Sequence, residues 1–225
     1  MNKIKVKDLK FSYGQDPILK KVDFSVDVGQ IALILGENGS GKSTLLKLIL
    51  GELRASSGEI EILGDRIENL ASYEKIGYVP QVQSFNQIAF PITVLEIVVL
   101  SLYREFGFLK IPRKGHKEKA KEILQKFGLS NFIHTPFNEL SGGLKQRTMI
   151  TRALMHEPEI LILDEPTAGV DQDSKEDFLH LIKKLNQKYG ITVVVVSHEI
   201  GLMKNILMPN KIYEMRGGRL ENVAV

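Results

Sequence analysis

The sequence predicts an α/β fold with a mainly parallel sheet, an antiparallel N-terminal β subdomain and an inserted helical subdomain. Residues 31–35 and 160–163 are continuous apolar runs, and residues 191–196 are apolar apart from Thr192, as in strands that a parallel sheet buries on both faces. Residues 4–11 and 19–28 alternate apolar and polar side chains, which predicts half-exposed antiparallel strands. Helical spacing replaces this pattern from about residue 84 to 155, so we expect a helical lobe inserted within a single domain of residues 1–225.

The other elements follow from apolar spacing and from residues that begin or end an element. Short strands are expected at residues 59–64, 75–80, 211–215 and 218–225, the last two joined by a hairpin turn at Gly217 and Gly218. Helices are expected at residues 45–50, 94–103, 120–127, 144–154 and 171–190. Thr93 can cap the second of these helices, and Gly128 ends the third. The last helix is amphipathic, with four side chains expected inward: Phe178, Leu179, Ile182 and Leu185.

The composition excludes several classes of function. The 225 residues are 43% hydrophobic, which is enough for a substantial core in one large domain. The 30 basic and 27 acidic side chains leave a net charge of +3, so we expect no nucleic-acid partner. There is no cysteine, which excludes disulfides and cysteine metal sites.

The apolar segments predict a cytoplasmic chain whose contact with any membrane is peripheral. Residues 1–5 lack the apolar run of a signal peptide. The most apolar stretch, residues 92–102, contains Glu96 and is far shorter than the ~20 residues that cross a bilayer.

A glycine-rich segment between the strand at residues 31–35 and the helix at 45–50 fits the pattern G-x-x-x-x-G-K-[ST]. Its residues are Gly36, Glu37, Asn38, Gly39, Ser40, Gly41, Lys42, Ser43 and Thr44. The glycines let successive N–H groups point into one concavity, and the helix that begins near Gly41 adds the positive end of its dipole. We therefore expect a polyphosphate here, with Lys42 on the β- and γ-phosphates and the Ser43 hydroxyl on Mg²⁺.

Two carboxylates follow the buried strand at residues 160–163. A parallel strand delivers such side chains to its carboxyl end, where ligands bind in open α/β sheets. Asp164 is expected to hold Mg²⁺ through its waters, and Glu165 to polarise the water that attacks the phosphate.

Gln81 and His198 also follow strands. The Gln81 amide could ligate Mg²⁺ or orient water, although alone it is typical of a surface residue. His198 could donate a hydrogen bond to a γ-phosphate, whereas a lone histidine is more often structural. The other histidines show no metal-ligand spacing, so no metal site is assigned to them: His116, His134, His156 and His180.

A second anion site is predicted where Ser141, Gly142 and Gly143 precede a helix. A hydroxyl, free N–H groups and the helix dipole meet there, although alone the segment is an ordinary helix cap. The first site already holds the phosphates, so a second chain could supply the ligand.

For three further features of the sequence, a functional and a structural interpretation both remain possible. Tyr13 closes the first strand and could stack on a purine or cover the core. The basic run at residues 110–121 could touch a membrane or an acidic partner, or form a solvated helix face. The apolar side chains of Phe85, Ile88 and Phe90 could form a docking patch or pack inward.

Taken in order, these motifs resemble the ATP-binding cassette of an ABC transporter over nearly the whole chain. The matching residues are Tyr13, 36–44, Gln81, Leu140 to Gly143, 160–165, Asp171 and His198. The resemblance implies a P-loop ATPase with adenine stacked on Tyr13 and triphosphate in the glycine-rich loop. It also implies that Gln81 senses the γ-phosphate and links to a membrane permease.

The resemblance further implies a homodimer of two copies packed head to tail. The segment from Ser141 to Gly143 in one copy would close on ATP held by the other, and Asp171 would lie at that interface. The family usually carries glutamine where this chain has Leu144. We expect this difference to affect the strength of coupling rather than the ATPase activity.

Residues 90–98 and 165–171 resemble the subgroup that drives uptake of zinc, manganese or chelated iron. That subgroup implies a permease, an extracytoplasmic solute-binding protein and a position on the inner face of the cell membrane. An ABC exporter or another non-metal ABC system would keep the same chemistry. A guanine-nucleotide switch is not favoured, since residues 210–213 lack the aspartate of its motif, and a P-loop kinase would have no use for residues 141–143.

Overall fold

The computed structural model describes residues 2–81 and 91–223. Its strands are β1 (Asn2–Tyr13), β2 (Asp16–Asp27), β3 (Ile31–Gly36), β4 (Ser57–Ile62), β5 (Asp65–Arg66), β6 (Ile76–Val79), β7 (Ile160–Asp164), β8 (Thr192–Ser197), β9 (Lys211–Arg216) and β10 (Arg219–Val223). Its α-helices are α1 (Lys42–Ile49), α2 (Val94–Leu100), α3 (Lys114–Lys126), α4 (Gly142–Ala153), α5 (Gln172–Tyr189) and α6 (Gly201–Leu207). Phe85, Ile88 and Phe90 lie outside the described residues, so their two interpretations stay open.

The strands form one sheet in the order β5-β4-β1-β2-β10-β9-β3-β8-β7-β6. The run from β9 to β6 is parallel throughout. Strands β1, β2, β4 and β5 pair antiparallel, and so do β9 and β10 at the predicted hairpin. The predicted α/β fold, with a mainly parallel sheet and an antiparallel N-terminal part, is confirmed.

The central strands are buried on both faces, which explains their continuous apolar sequence. In β3, Leu33 faces the core that includes α2, α4 and α5, while Ile34 faces the core that includes α1. Both side chains have no exposed surface. Two separate cores therefore fix the sheet from opposite sides, and only the ends of its central strands remain available for polar side chains.

The alternation of buried and exposed side chains in β1 is interrupted once, and a bulge in the backbone restores it. Ile4 and Val6 face the core, and the next inward residue is Leu9 rather than residue 8. Asp8 has a φ of 49°, and the pairing of β1 with β2 shifts register between Val6 and Leu9. Such a bulge restores Leu9 to the buried face.

Helix α2 begins as predicted but ends earlier. Thr93 and Glu96 form a capping box, in which the Thr93 hydroxyl accepts from the Glu96 N–H at 3.3 Å. The helix was expected to reach residue 103 but ends at Leu100. The N–H of Ser101 donates to the carbonyl of Val98 instead, and its hydroxyl donates to the same carbonyl at 2.6 Å. These bonds tighten the chain into 3₁₀-type turns and end the α-helix.

The other predicted helices are present. Ala120 and Leu124 are the buried residues of α3, and the lysines of this helix lie on its exposed face. Helix α5 is capped by Asp171 and by Gly190 in the left-handed conformation. Its buried residues are those predicted: Phe178, Leu179, Ile182 and Leu185. The short helix α6 was not predicted.

A search of residues 2–81 and 91–223 finds no helix with the length and apolar character needed to cross a bilayer.

Candidate functional site

Four neighbouring parallel strands end at the same edge of the sheet, and a polar segment follows each one. In spatial order they are β3, β8, β7 and β6. The glycine-rich loop follows β3, His198 follows β8, Asp164 and Glu165 end β7, and Gln81 lies just beyond β6. Segments that are far apart in the sequence therefore meet in space.

These segments border one open cavity of about 460 Å³. Its lining residues are Ile18, Asn38, Gly39, Gly41, Lys42, Ser43, Thr44, Gln81, Asp164, Glu165 and His198. The structure thus brings together every side chain predicted for catalysis or for Mg²⁺.

The glycines of the loop occupy positions that other residues could not. Gly41 has a φ of 111°, and a Cβ there would lie 2.9 Å from Leu19 Cδ2. A Cβ on Gly36 would lie 2.7 Å from the Met215 carbonyl oxygen. Since real Cβ atoms do not approach so closely, glycine is required for the loop to curl over the strand.

Lys42 is held by its own loop. Its Nζ donates to the carbonyl oxygens of Gly36 at 2.6 Å and Glu37 at 2.9 Å, and only 6% of the residue is exposed. The ammonium has three donors, so these two bonds orient it without using all of them. The buried Ser40 hydroxyl has no hydrogen-bond partner among the described residues.

Helix α1 begins at Lys42, with Gly41 as its N-cap. Its first turn contains no acidic side chain. Residues 42–44 of this turn line the cavity, so the positive end of the helix dipole lies beside it, and an anion is the complementary ligand.

Asp164 is a partly buried carboxylate close to a second one. Burial raises its pKa, and the neighbouring Glu165 raises it further, whereas Lys42 acts in the opposite direction. The Tyr78 hydroxyl lies beside Asp164, and burial together with that carboxylate raises the pKa of Tyr78. Bringing a cation near Asp164 would relieve the electrostatic cost of ionising it.

Glu165 is fixed on one side and open on the other. Its Oε2 lies 2.8 Å from His198 Nδ1 and accepts from the Ser197 hydroxyl at 3.5 Å. Its Oε1 is buried and has no partner among the residues that the structure describes. The backbone of Glu165 has a φ of 45°, a conformation that costs a non-glycine residue about 1 kcal/mol or more. Its N–H donates to the Val196 carbonyl at 2.9 Å, which helps to hold this turn.

The predicted second anion site lies elsewhere on the chain. Ser141 caps α4, and its hydroxyl accepts from the Leu144 N–H at 3.4 Å. Ser141 and Gly143 line a separate cavity of about 120 Å³ with Ser174 at the start of α5. Neither borders the cavity around Lys42.

Asp171 lies at the same helix start as Ser174. Its carboxylate accepts from the Ser174 N–H at 3.0 Å, and this hydrogen bond lowers the pKa of Asp171. A Cβ on Gly143 would lie 2.8 Å from Ser174 Oγ, and one on Gly142 would lie 3.3 Å from Val170. The starts of α4 and α5 are therefore packed against each other.

Tyr13 ends β1 with 49% of its surface exposed, and its ring meets Phe11 edge-on at 4.8 Å. Ile18, on the partner strand of the same hairpin, borders the cavity around Lys42. Tyr13 itself is not among the residues that line the cavity, so its stacking on a purine stays a prediction that its exposed ring allows.

Two neighbours of the site were missed from the sequence. Ile18 belongs to an alternating strand with no motif, and only the pairing of the sheet carries it to the cavity. Tyr78 was recognised only as part of a buried strand, although its position before Gln81 was a usable signal. Its side chain reaches Asp164 because β6 pairs with β7.

The donor set fits Mg²⁺. The Ser43 hydroxyl, the Gln81 amide carbonyl and the Asp164 carboxylate all offer oxygen atoms to one cavity, and oxygen is the donor that this hard cation prefers. Within residues 2–81 and 91–223, no group of three or more His, Asp or Glu side chains could hold a metal ion.

Replacing Asp164 with asparagine should stabilise the nucleotide-free protein at pH 7. The raised pKa means that the folded state binds its proton more tightly than the unfolded chain, whose aspartates titrate near about 3.9. The carboxylate therefore costs no stability below that pH, and its cost grows as the pH rises through the folded-state pKa. Urea unfolding without Mg²⁺ should show a higher free energy of unfolding for Asp164→Asn at pH 7 and a smaller difference near pH 4.

Asp65→Asn, at an exposed position in β5, is the matched control and should change little at either pH. A variant Asp164→Asn that is less stable than the wild type at pH 7 would contradict the electrostatic account.

The chain resembles known proteins along most of its length. Residues 19–168 match the family described as ABC transporter. The zinc uptake system ATP-binding protein ZurA of Listeria innocua is 38% identical over 89% of this chain and 78% of its own length. The manganese transport system ATP-binding protein MntB of Bacillus subtilis is 36% identical over 88% of this chain and 77% of its own.

Solved structures agree with these relatives. An inward-facing ABC transporter described as metal-chelate type superposes with a TM-score of 0.85 at 29% identity, over 99% of this chain and 83% of that one. The ATP-binding cassette MJ0796, in a dimeric post-hydrolysis state bound to ADP and Pi, gives a TM-score of 0.79 at 30% identity, over 99% of both chains. The chain therefore belongs to the ABC transporter family and is an ATP-binding and ATP-hydrolysing cassette.

Proposed function

We propose that this chain powers the uptake of a metal ion, zinc or manganese, or of a metal chelate, through a separate membrane permease. The observation that carries the ATPase chemistry is the single cavity in which Lys42, Asp164, Glu165 and His198 meet. The proposal that the transported solute is a metal is supported by the similar ATP-binding proteins of zinc and manganese transport systems. Binding to the permease would place the chain on the inner face of the membrane, and an extracytoplasmic solute-binding protein would deliver the metal.

The glycine-rich loop would bind the triphosphate. Residues 42–44 of the first turn of α1 line the cavity, and the Lys42 ammonium has a third donor beyond its two bonds to the loop. Fixed donors of this kind need no rearrangement when charge moves during phosphoryl transfer, which is where such electrostatic catalysis gains its effect. Adenine would stack on the exposed ring of Tyr13.

Mg²⁺ would be held by Ser43, Gln81 and Asp164, and when bound it neutralises charge on the phosphate oxygens. Its charge would also favour the ionised form of Asp164, whose pKa is raised in its absence. Gln81 lies directly before the segment 82–90, so a contact made there by the permease could reach the γ-phosphate through this side chain.

Glu165 would polarise the attacking water. Its Oε1 is an acceptor with no protein partner among the described residues, while Oε2 is anchored by His198 and Ser197. A carboxylate only accepts, so Nδ1 of His198 carries the proton that binds Glu165. A neutral ring then has an accepting Nε2, and His198 donates to a γ-phosphate only when its ring is doubly protonated. Orienting Glu165 is therefore the role that His198 fills in either protonation state.

Two copies would share each ATP. Ser141 and Gly143 form a helix start suited to an anion, yet they border a different cavity from Lys42. A head-to-tail homodimer lets this helix start in one copy contact the γ-phosphate held by the other, with Asp171 at the interface. The similar cassette bound to ADP and Pi is dimeric, which supports a dimer of this chain.

Glu165→Gln should keep ATP and Mg²⁺ bound but lower turnover about 10²–10⁴-fold, because the near-isosteric amide cannot act as a base. Since hydrolysis releases the bridged copies, the variant should accumulate as a dimer with ATP and Mg²⁺ at concentrations where the wild type is monomeric. Size-exclusion chromatography and a phosphate-release assay measure both effects.

Glu118→Gln, on the exposed face of α3, is the control and should behave as the wild type. A monomer peak for Glu165→Gln together with turnover within about tenfold of wild type would remove both the catalytic role and the shared site.

Ser141→Arg should leave ATP binding to the monomer intact while suppressing hydrolysis, because Ser141 serves the partner's nucleotide. Mixing the variant with wild type should lower activity more than dilution does. Ser130→Arg, at an exposed position of the helical lobe, is the control for added charge. Loss of ATP binding in the isolated Ser141→Arg monomer would show that the site is not shared.

The transported solute is tested by reconstitution. Vesicles that contain this chain, its permease and the solute-binding protein encoded beside it should accumulate radioactive zinc or manganese, or a metal chelate, when ATP is on the cytoplasmic side. Vesicles with Glu165→Gln should not. ATP-driven movement of metal in the outward direction, or uptake of a non-metal solute alone, would overturn the proposal.

A further inference from the structure

The segment that carries His198 has little regular structure of its own. Residues 198–200 lie between the end of β8 and the start of α6 and belong to neither. Half of the His198 side chain, 52%, is exposed. The position of its ring relative to Glu165 must therefore be set by the contacts of this short segment.

The carboxylate of Glu199 supplies those contacts. Lys175 Nζ donates to both of its oxygens at 3.0 Å, and the Thr167 hydroxyl donates to Oε2 at 3.4 Å. The Glu199 N–H donates to the Ser197 hydroxyl at 3.0 Å, and that hydroxyl in turn donates to Glu165. Both neighbours of His198 are therefore held by hydrogen bonds: Glu199 through its carboxylate, and Ser197 through its hydroxyl.

The two donors to Glu199 come from different elements. Thr167, with 2% of its surface exposed, lies in the turn that follows Glu165. Lys175 belongs to the first turn of α5, and its N–H donates to the Asp171 carbonyl at 3.0 Å. Glu199 therefore joins the histidine segment to the turn beyond Glu165 and to the start of α5.

The ion pair is less exposed than an ordinary surface pair. The side chain of Lys175 is only 16% exposed, although that of Glu199 is 40% exposed. Solvent screens such a pair incompletely, and a lysine this buried loses much of its hydration. Lys175 Nζ contacts both carboxylate oxygens and the Thr167 hydroxyl contacts one of them, so donors from two different elements hold this carboxylate.

We propose that Glu199 is a positioning residue for ATP hydrolysis. Its ion pair with Lys175 and its bond from Thr167 hold residues 198–200 so that His198 Nδ1 stays 2.8 Å from Glu165. This inference rests on the proposed role of Glu165 as the base. Because Lys175 lies one turn from Asp171, a shift of the α5 start is passed to His198 through the same carboxylate.

The test compares Glu199→Gln and Lys175→Met with Lys175→Arg, which keeps the charge. The first two should lower kcat about 10- to 100-fold, as expected when a catalytic group is displaced by about 1 Å, with KM for ATP within about twofold. Lys175→Arg should retain most of the activity.

Glu118→Gln is the matched control. It breaks an ion pair with Lys121 of the same 3.0 Å length on α3, away from the cavity, and should leave kcat unchanged. A kcat of Glu199→Gln within twofold of wild type would overturn the proposal. If Glu199→Gln is too unstable to assay, equal kcat values for Lys175→Met and Lys175→Arg would overturn it instead.

Glu165→Gln, assayed in parallel, separates this inference from the proposed function. If Glu165→Gln keeps turnover within about tenfold of wild type, the role of Glu165 fails, and the positioning role fails with it. If Glu165→Gln loses turnover while Glu199→Gln does not, only the positioning role is wrong.

Discussion

Burial of the central strands on both faces is the constraint on which the rest of the structure depends. Leu33 and Ile34 of β3 point into separate cores, so the strand can carry polar chemistry only where it ends. The neighbouring strands obey the same rule, and all four run in one direction. The position of the site therefore follows from the sheet, because its polar residues lie at the carboxyl ends of the parallel strands, where ligands bind in such sheets.

Negative charge is concentrated at that edge of the sheet, and the glycine-rich loop supplies positive charge beside it. Asp164 and Glu165 are adjacent carboxylates, and a bound triphosphate adds more anionic oxygens to the same cavity. Lys42 and the N-terminus of α1 are the fixed positive groups beside them, and their effect on Asp164 opposes that of burial. Burial and the neighbouring Glu165 raise the pKa of Asp164, and the proposed Mg²⁺ would offset this cost of ionising it.

The sequence predicted every described strand except β5, the helices α1 to α5 and the cavity residues other than Ile18, because each of these depends on local pattern. Buried strands are continuous, and the glycine-rich loop has fixed spacing. The sequence could not predict Ile18 at the cavity or Tyr78 beside Asp164, since both arrive there through strand pairing. The early end of α2 was also missed, because it depends on competing hydrogen bonds of Ser101 rather than on apolar spacing.

Asp171 and His198 are far apart in the sequence but are connected in the structure through Lys175 and Glu199. Asp171 caps α5, Lys175 lies one turn further along, and its ammonium binds the carboxylate that follows His198. The start of α4, with Ser141, packs against the same helix start. Lys175 thus joins this surface to Glu199, whose N–H donates to the Ser197 hydroxyl, and that hydroxyl donates to Glu165. In the proposed head-to-tail dimer, closure of the two copies and orientation of the proposed base Glu165 would therefore be linked through Lys175 and Glu199.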